Sequence, residues 1–130
     1  MVQSLVSQKL IPPKFKYSQL VKAGPHYYCS GLIALDNESG ELVSGGIGKE
    51  TEKILENLQI LAHEFDLTWE HLAFARVFTS DFEHFSEFNT AWETLFNSLD
   101  TPPPARSSLG VSALPLNASI EIEFTFYRED

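Results

Sequence analysis

The chain is poor in cysteine and in positive charge. Cys29 is the single cysteine among 130 residues, which excludes an intrachain disulfide. Lys and Arg number 9 against 18 Asp and Glu, and the resulting net charge of -9 disfavours a general nucleic-acid surface, because such surfaces neutralise phosphates with Lys and Arg. Cys29 lies in the strand-like run HYYCSG, where a lone cysteine is usually a small buried hydrophobic residue.

Long apolar runs are also missing. No stretch approaches the ~20 apolar residues of a membrane-spanning helix. The N-terminus has no basic start followed by a continuous apolar segment, so we expect no secretory signal, no membrane partner and a cytoplasmic location. The 130 residues fit a single domain, with residues 1–14 as an N-terminal arm closed by Pro12 and Pro13.

Motifs for metals, nucleotides and nucleophilic serine are absent as well. No pair of histidines has H-x-H or H-E-x-x-H spacing, so we expect no metal site. The sequence has no P-loop, no G-x-G-x-x-G and no G-x-S-x-G.

The apolar residues that are present follow the periods of strands and helices. Apolar runs predict strands over residues 17–23, 26–35, 71–80, 105–113 and 119–127. Helical spacing predicts helices over 48–65 and 81–97, the second starting from a capping box of Ser80 and Glu83. This order favours an α+β domain with a mixed sheet and two helices on one face. The other face is too apolar for water alone, so we expect it to meet another subunit.

The two closing strands alternate between apolar and polar residues. Glu121 belongs to the polar face of 119–127, and Arg106, Ser108 and Gly110 to the polar face of 105–113. We predict that both apolar faces meet the helices, Leu109 among them. If the strands pair as neighbours, Arg106 and Glu121 lie on the same side.

Two interpretations of these charges remain open from the pattern alone. They can be solvated surface residues. They can also form a site for a small carboxylate, because an arginine fork matches a carboxylate and a nearby acid can hold or deprotonate a water.

The segment PPPARSSLGVSALPLNASIEIEF (102–124) resembles the signature of the RidA/YjgF family of enamine/imine deaminases. Its core in that family is P-A-R-S, then L-P, then I-E-I-E. Tyr17-Ser18-Gln19 resembles the family's early G-P-Y-S-Q, and Ser30-Gly31 with Ile33 resembles S-G-Q-I. The segment 77–96, which includes Asn89, is similar to the family's strand and second helix.

The resemblance implies a chorismate-mutase-like fold and a homotrimer with clefts between subunits. It implies hydrolysis of enamines or imines, such as 2-aminoacrylate and 2-iminobutanoate, to 2-oxo acids and ammonia without a cofactor. Arg106 would bind the substrate carboxylate, Glu121 would orient and activate the water, and the backbone at Ser108 would help to place that water. The cleft would also be lined by Tyr17, Ser30, Gly31 and Asn89.

Departures from the family pattern keep the substrate open. Ser108 replaces the Cys of the best-characterised branch, and Leu32 and Gly110 also differ from it. Two alternatives therefore stand beside deamination. One is a non-catalytic or regulatory binder of 2-oxo acids on the same trimer. The other is the ribonuclease or translation-inhibitor activity by which some members are labelled, which the acidic charge and the lack of a histidine acid–base pair disfavour.

Overall fold

The chain forms a six-stranded mixed sheet with two helices on one face, in a computed structural model that describes residues 1–130. The strands are β1 (Gln3–Leu5), β2 (Leu20–Ala23), β3 (His26–Leu32), β4 (Leu72–Thr79), β5 (Ala105–Gly110) and β6 (Ile120–Tyr127). The helices are α1 (Gly46–Glu64) and α2 (Phe85–Asn97). This architecture confirms the predicted α+β class. Neither helix has the length and apolarity needed to cross a membrane.

The strand order β1-β2-β3-β6-β4-β5 places the C-terminal strand inside the sheet. Strand β6 pairs antiparallel with both β3 and β4, whereas β4 and β5 run parallel. Parallel neighbours need a crossover, and α2 supplies it between β4 and β5. Strand β4 therefore separates the two closing strands, which are not neighbours.

The apolar face of β6 meets the helices, as its alternation predicted. Its four inward residues are at most 1% exposed: Ile120, Ile122, Phe124 and Phe126. They pack in one core with the buried residues of α1, such as Ile54 and Leu58. Cys29 joins this core, and its burial raises the pKa of the thiol to about 12.

The aromatic stripe of α2 packs as a ladder of rings. Successive ring centroids are 4.8 Å apart for Phe85 and Phe88, 5.5 Å for Phe88 and Trp92, and 4.8 Å for Trp92 and Phe96. Such pairs add to the free energy of burying the rings. The stripe is core packing over most of its length, and its outer edge borders β5.

Several predicted boundaries differ from the structure. The capping box is wrong, because the Ser80 hydroxyl donates to the Ala118 carbonyl at 3.0 Å and the residues 82–84 form a 3-10 turn before α2. Strand β2 begins only at Leu20, since the N–H of Tyr17 turns back to the Phe15 carbonyl at 3.0 Å. The predicted strands 26–35 and 105–113 end earlier, at residues 32 and 110.

Truncation of Leu58 tests this packing. The residue is fully buried on α1, so Leu58→Ala should lower the free energy of unfolding by about 2–5 kcal/mol through lost burial and a residual cavity. Urea unfolding followed by circular dichroism measures the change. Gln59→Ala is the matched control on the exposed face of the same helix and should stay within about 0.5 kcal/mol of wild type. Equal losses in both variants would contradict the assigned core.

Candidate active site

Arg106 lies on the helix-facing side of edge strand β5. It is in register with Ala75 of β4, which is in register with the buried Phe124 of β6. Residues in register share a face of the sheet. The prediction that the polar face of β5 turns away from the helices is therefore wrong.

The edge position explains this reversal. Strand β5 has no neighbour on its outer side, so Arg106 stays exposed there although aromatic rings of α2 lie beside its guanidinium. Leu109, which was predicted to face the helices, lies in register with Phe78 on the opposite face and is 44% exposed. The alternation of an edge strand therefore does not tell which face is covered.

The Arg106 guanidinium is held in place without a carboxylate. Its carbon Cζ lies 5.0 Å from the ring centroid of Phe88 and 5.4 Å from that of Trp92. Its Nη2 donates to Asn89 Oδ1 at 3.0 Å. No ion pair of the chain includes Arg106, and desolvation lowers its pKa from the ordinary value while leaving it a cation. The remaining N–H donors are thus available to an anion.

Ser108 completes this first group of residues. It follows Arg106 by two positions, so it shares the same side of β5, and it is half-buried in register with Val77. We call Arg106, Ser108 and Asn89 the Arg106 half of the site.

Glu121 lies on the opposite face of the sheet. It is in register with Phe78, one position out of phase with the buried residues of β6. Its carboxylate lines a cavity of 560 Å³ together with Tyr17, Ser30 and Gly31. Burial, and secondarily the neighbouring charge of Glu123, raise the pKa of Glu121 above its ordinary value. We call Glu121, Tyr17, Ser30 and Gly31 the Glu121 half.

Gly31 leaves the space that the Glu121 side chain fills. The register of β3 against β6 shifts between Cys29 and Leu32, which marks a β-bulge at this point. A Cβ added to Gly31 would lie 2.4 Å from Glu121 Oε2 and 2.8 Å from its carboxyl carbon. Only glycine therefore fits while this carboxylate keeps its position.

Ser30 fastens the loop that carries Tyr17. The Ser30 hydroxyl donates to the Ser18 carbonyl at 2.6 Å, and the Ser30 N–H donates to the Gln19 carbonyl at 3.0 Å. The loop brings Tyr17 to the cavity with its side chain more than half exposed. Ser30 thus acts on the cavity by positioning its neighbours.

The two halves do not meet within one chain. The cavity contains all four residues of the Glu121 half and none of the Arg106 half. The prediction that Arg106 and Glu121 share a side is wrong, because β4 lies between their strands and the two residues occupy opposite faces. A single chain offers two incomplete sites.

The cavity also includes residues that sequence reasoning missed. Leu32 lines it, as the departure from the family pattern suggested, whereas Gly110 does not and instead approaches Phe82. The missed wall residues come from two loops, and they include Ile11, Phe15 and Leu116. Their irregular backbone follows no period that a sequence pattern could reveal.

One group of side chains outside the cavity has ligands that a metal ion could use. Asp81, Glu83 and His84 bring their ligand atoms within 4.8 Å of one another before α2. The Asp81 carboxylate bonds His84 Nδ1 at 2.9 Å and raises the pKa of that imidazole. The hydrogen bond between Asp81 and His84 accounts for the closeness of these side chains, which belong to the turn before α2.

Comparisons with known proteins agree with this fold. The family model described as Endoribonuclease L-PSP matches residues 8–127. A 2-iminobutanoate/2-iminopropanoate deaminase of Dermatophagoides farinae is 32% identical over 120 residues, which span 92% of this chain and 91% of the relative. The mitochondrial protein Mmf1 of Saccharomyces cerevisiae is 35% identical over 119 residues, with 91% and 79% covered.

A solved structure of known family has the same fold. RidA from the Antarctic bacterium Psychrobacter sp. superimposes with a TM-score of 0.86 at 29% identity, covering 96% of this chain and 98% of the other. The match extends over both halves of the site. The chain belongs to the RidA/YjgF family, whose family model carries the description Endoribonuclease L-PSP.

Proposed function

We propose that the protein hydrolyses reactive 2-imino and 2-enamino acids to 2-oxo acids and ammonia, in a cleft formed by two subunits of a homotrimer. The observation that carries the proposal is the Glu121 carboxylate, which is desolvated, has a raised pKa and lies in a cavity of 560 Å³. The relative from Dermatophagoides farinae that is named as a deaminase supports the reaction class.

Arg106 is the proposed carboxylate anchor. Its guanidinium is oriented by Asn89 and by the rings of α2, and no acidic side chain occupies its donors. A preorganised guanidinium can bind a substrate carboxylate through two parallel N–H donors. Anchoring at that end fixes where the C=N carbon lies relative to the water.

Glu121 is the proposed base for the attacking water. It accepts a proton as the water oxygen bonds to the carbon of the protonated imine, and it returns this proton to the nitrogen. The C–N bond then breaks with its electron pair going to nitrogen, and the C=O bond forms as the new hydroxyl group gives its proton to the departing ammonia. In total, one protonated imine and one water are converted to one ketone and one ammonium ion. The raised pKa favours the first transfer, because a desolvated carboxylate is a stronger base than a solvated one. The backbone at Ser108 is proposed to help place this water.

A second copy of the chain is required to unite the two halves. Arg106 and Glu121 occupy opposite faces of the sheet, so the Arg106 half of one subunit has to adjoin the Glu121 half of another. The sheet face away from the helices carries exposed apolar and aromatic side chains suited to such an interface: Tyr28, Leu109 and Tyr127. A closed ring of three copies repeats one such contact three times.

The alternative functions share the fold but not the chemistry. A binder of 2-oxo acids needs the Arg106 half and no proton transfer by Glu121. The net charge of -9 opposes a ribonuclease, because RNA would be repelled over most of the surface. A cytoplasmic location stays a prediction, and the related Mmf1 is a mitochondrial protein.

Mixing two inactive variants tests the shared cleft. Arg106→Ala and Glu121→Gln should each abolish the acceleration of ammonia release from 2-aminoacrylate generated by a dehydratase. Refolding the two together in equal amounts should restore activity, because about one quarter of randomly assembled sites combine both intact halves. Separately refolded variants mixed without exchange are the control. No recovery in a mixed trimer, or full activity of Arg106→Ala alone, would contradict the proposal.

Glu121→Gln should lose activity and gain stability. We expect kcat to fall by about 10²–10⁴, the usual contribution of a general acid–base group. The raised pKa means that the charged carboxylate destabilises the fold once pH exceeds the ordinary value of 4.5, so Tm should rise at pH 7. The gain should shrink as pH falls toward 4.5 and be lost below it.

Calorimetry and steady-state kinetics across pH measure both effects. Glu123→Gln is the matched control on the same face of β6, and it should retain activity although its pair with Arg76 at 2.9 Å is lost. Unchanged activity in Glu121→Gln, together with retained binding of 2-oxo acids, would support the non-catalytic binder instead.

Gly31→Ala should impair catalysis with the fold intact. The new methyl group forces the Glu121 carboxylate to move, because the two would otherwise come within 2.4 Å. We expect kcat to fall at least about tenfold, since misplacing a catalytic group by about 1 Å can cost 10²-fold. Gly48→Ala on α1 is the glycine control outside the cavity, because a Cβ there meets only Glu87 at ordinary contact distances of 3.5–3.7 Å, and circular dichroism checks folding of both. Wild-type kcat in Gly31→Ala would contradict the assigned role of Glu121.

A further inference from the structure

Leu116 has an unusual backbone conformation for its residue type. It lies in the short turn Pro115–Asn117 between β5 and β6, with φ 55° and ψ 29°. A leucine in the left-handed region costs conformational free energy, because its Cβ crowds the backbone. Its neighbour Asn117 also has φ 58°, but asparagine tolerates this region far better.

The Leu116 side chain is placed where water can reach it. It is 58% exposed although leucine is a residue type usually buried. Together with Pro115 it borders the cavity that holds Glu121. The turn therefore combines backbone strain and apolar exposure at the edge of the proposed active site, and strain of this kind concentrates at functional sites.

The wall around Leu116 is apolar over most of its extent. The other apolar residues of this wall are Ile11, Pro12, Pro13, Phe15, Leu32, Ile33 and Leu35. They come from two loops and one strand end, so no single element of the core requires them to meet here. Glu121, the proposed base, lines the same cavity, as does the positioning residue Ser30.

From this arrangement we infer that Leu116 is a specificity-determining residue, whose side chain closes an apolar subsite for the substituent of the substrate. The inference rests on the proposed function. It assigns as substrate a 2-imino acid with a branched apolar side chain, of the type derived from leucine, in preference to the small imine derived from alanine. Burial of the extra methyl and methylene groups against the wall supplies the preference.

The cavity has one feature that favours a different substituent. Lys14 also lines it, and no ion pair of the chain includes this residue. A lysine could select a second carboxylate, as in the imine derived from glutamate. The apolar residues outnumber this single lysine on the wall, so we infer the apolar substituent.

The test compares three imines generated by an amino-acid oxidase from leucine, alanine and glutamate. In wild type we expect kcat/KM to be at least about tenfold higher for the leucine-derived imine than for the alanine-derived one, the lower end of the discrimination that apolar groups provide. Leu116→Asn keeps a residue that accepts the left-handed backbone and removes the apolar surface, so the ratio should fall about tenfold.

Two further variants separate the effect of the Leu116 side chain on the preference from the effect of the backbone turn. Leu116→Met keeps an apolar side chain and should preserve most of the preference. Asn117→Gly loosens the same turn without changing the cavity wall and should leave the ratio at the wild-type value. A wild-type preference for the alanine- or glutamate-derived imine, or an unchanged ratio in Leu116→Asn, would overturn the inference.

A binding measurement keeps this result separate from the proposed function. Calorimetric titration with 4-methyl-2-oxopentanoate and with pyruvate needs no turnover. A preference for the branched acid that is lost in Leu116→Asn supports the subsite even if no imine is hydrolysed. Deamination without any such preference would contradict the proposed subsite but would still support the proposed function.

Discussion

The burial of every second residue of β6 is the constraint on which the site depends. This strand lies between β3 and β4, and its inward residues each contribute about 1.5–3 kcal/mol by leaving water. A slip of one residue would exchange its faces and carry Glu121 into the core. The start of the strand is also fixed, because Glu50 accepts from the Ser119 N–H at 2.9 Å and Thr79 donates to the Ser119 carbonyl at 2.7 Å. Packing far from the cavity therefore determines which way the acid points.

This constraint is local, so the sequence could reveal it. The alternation of Ile, Glu and Phe along 119–127 predicted correctly which residues are buried, and the aromatic spacing of α2 predicted its core face. The orientation of β5 could not be obtained in the same way. It depends on a crossover through α2 and on a place at the sheet edge, which are long-range properties that leave no period in the segment itself.

The site shows the same division between local and long-range information. The family motifs selected Arg106 and Glu121 as residues of interest, but nothing in those motifs revealed that the two occupy opposite faces. The residues of the cavity wall were harder still to predict from the sequence. Phe15 and Leu116 belong to loops whose course is fixed by hydrogen bonds such as that from Ser30 to the Ser18 carbonyl. Residue types could be predicted from the sequence, whereas their division between two surfaces required the fold.

The fit between Gly31 and Glu121 has a consequence for how such a chain can diverge. The carboxylate occupies the volume that any side chain at position 31 would need. A single substitution at position 31 therefore displaces the acid, and a shorter residue at position 121 would remove the overlap. Lineages that keep the acid are restricted to glycine at position 31, whereas a lineage that has lost the acid is free to vary both. The pair is expected to change together across descendants, and the loss of glycine at position 31 marks a chain in which the acid no longer holds this position.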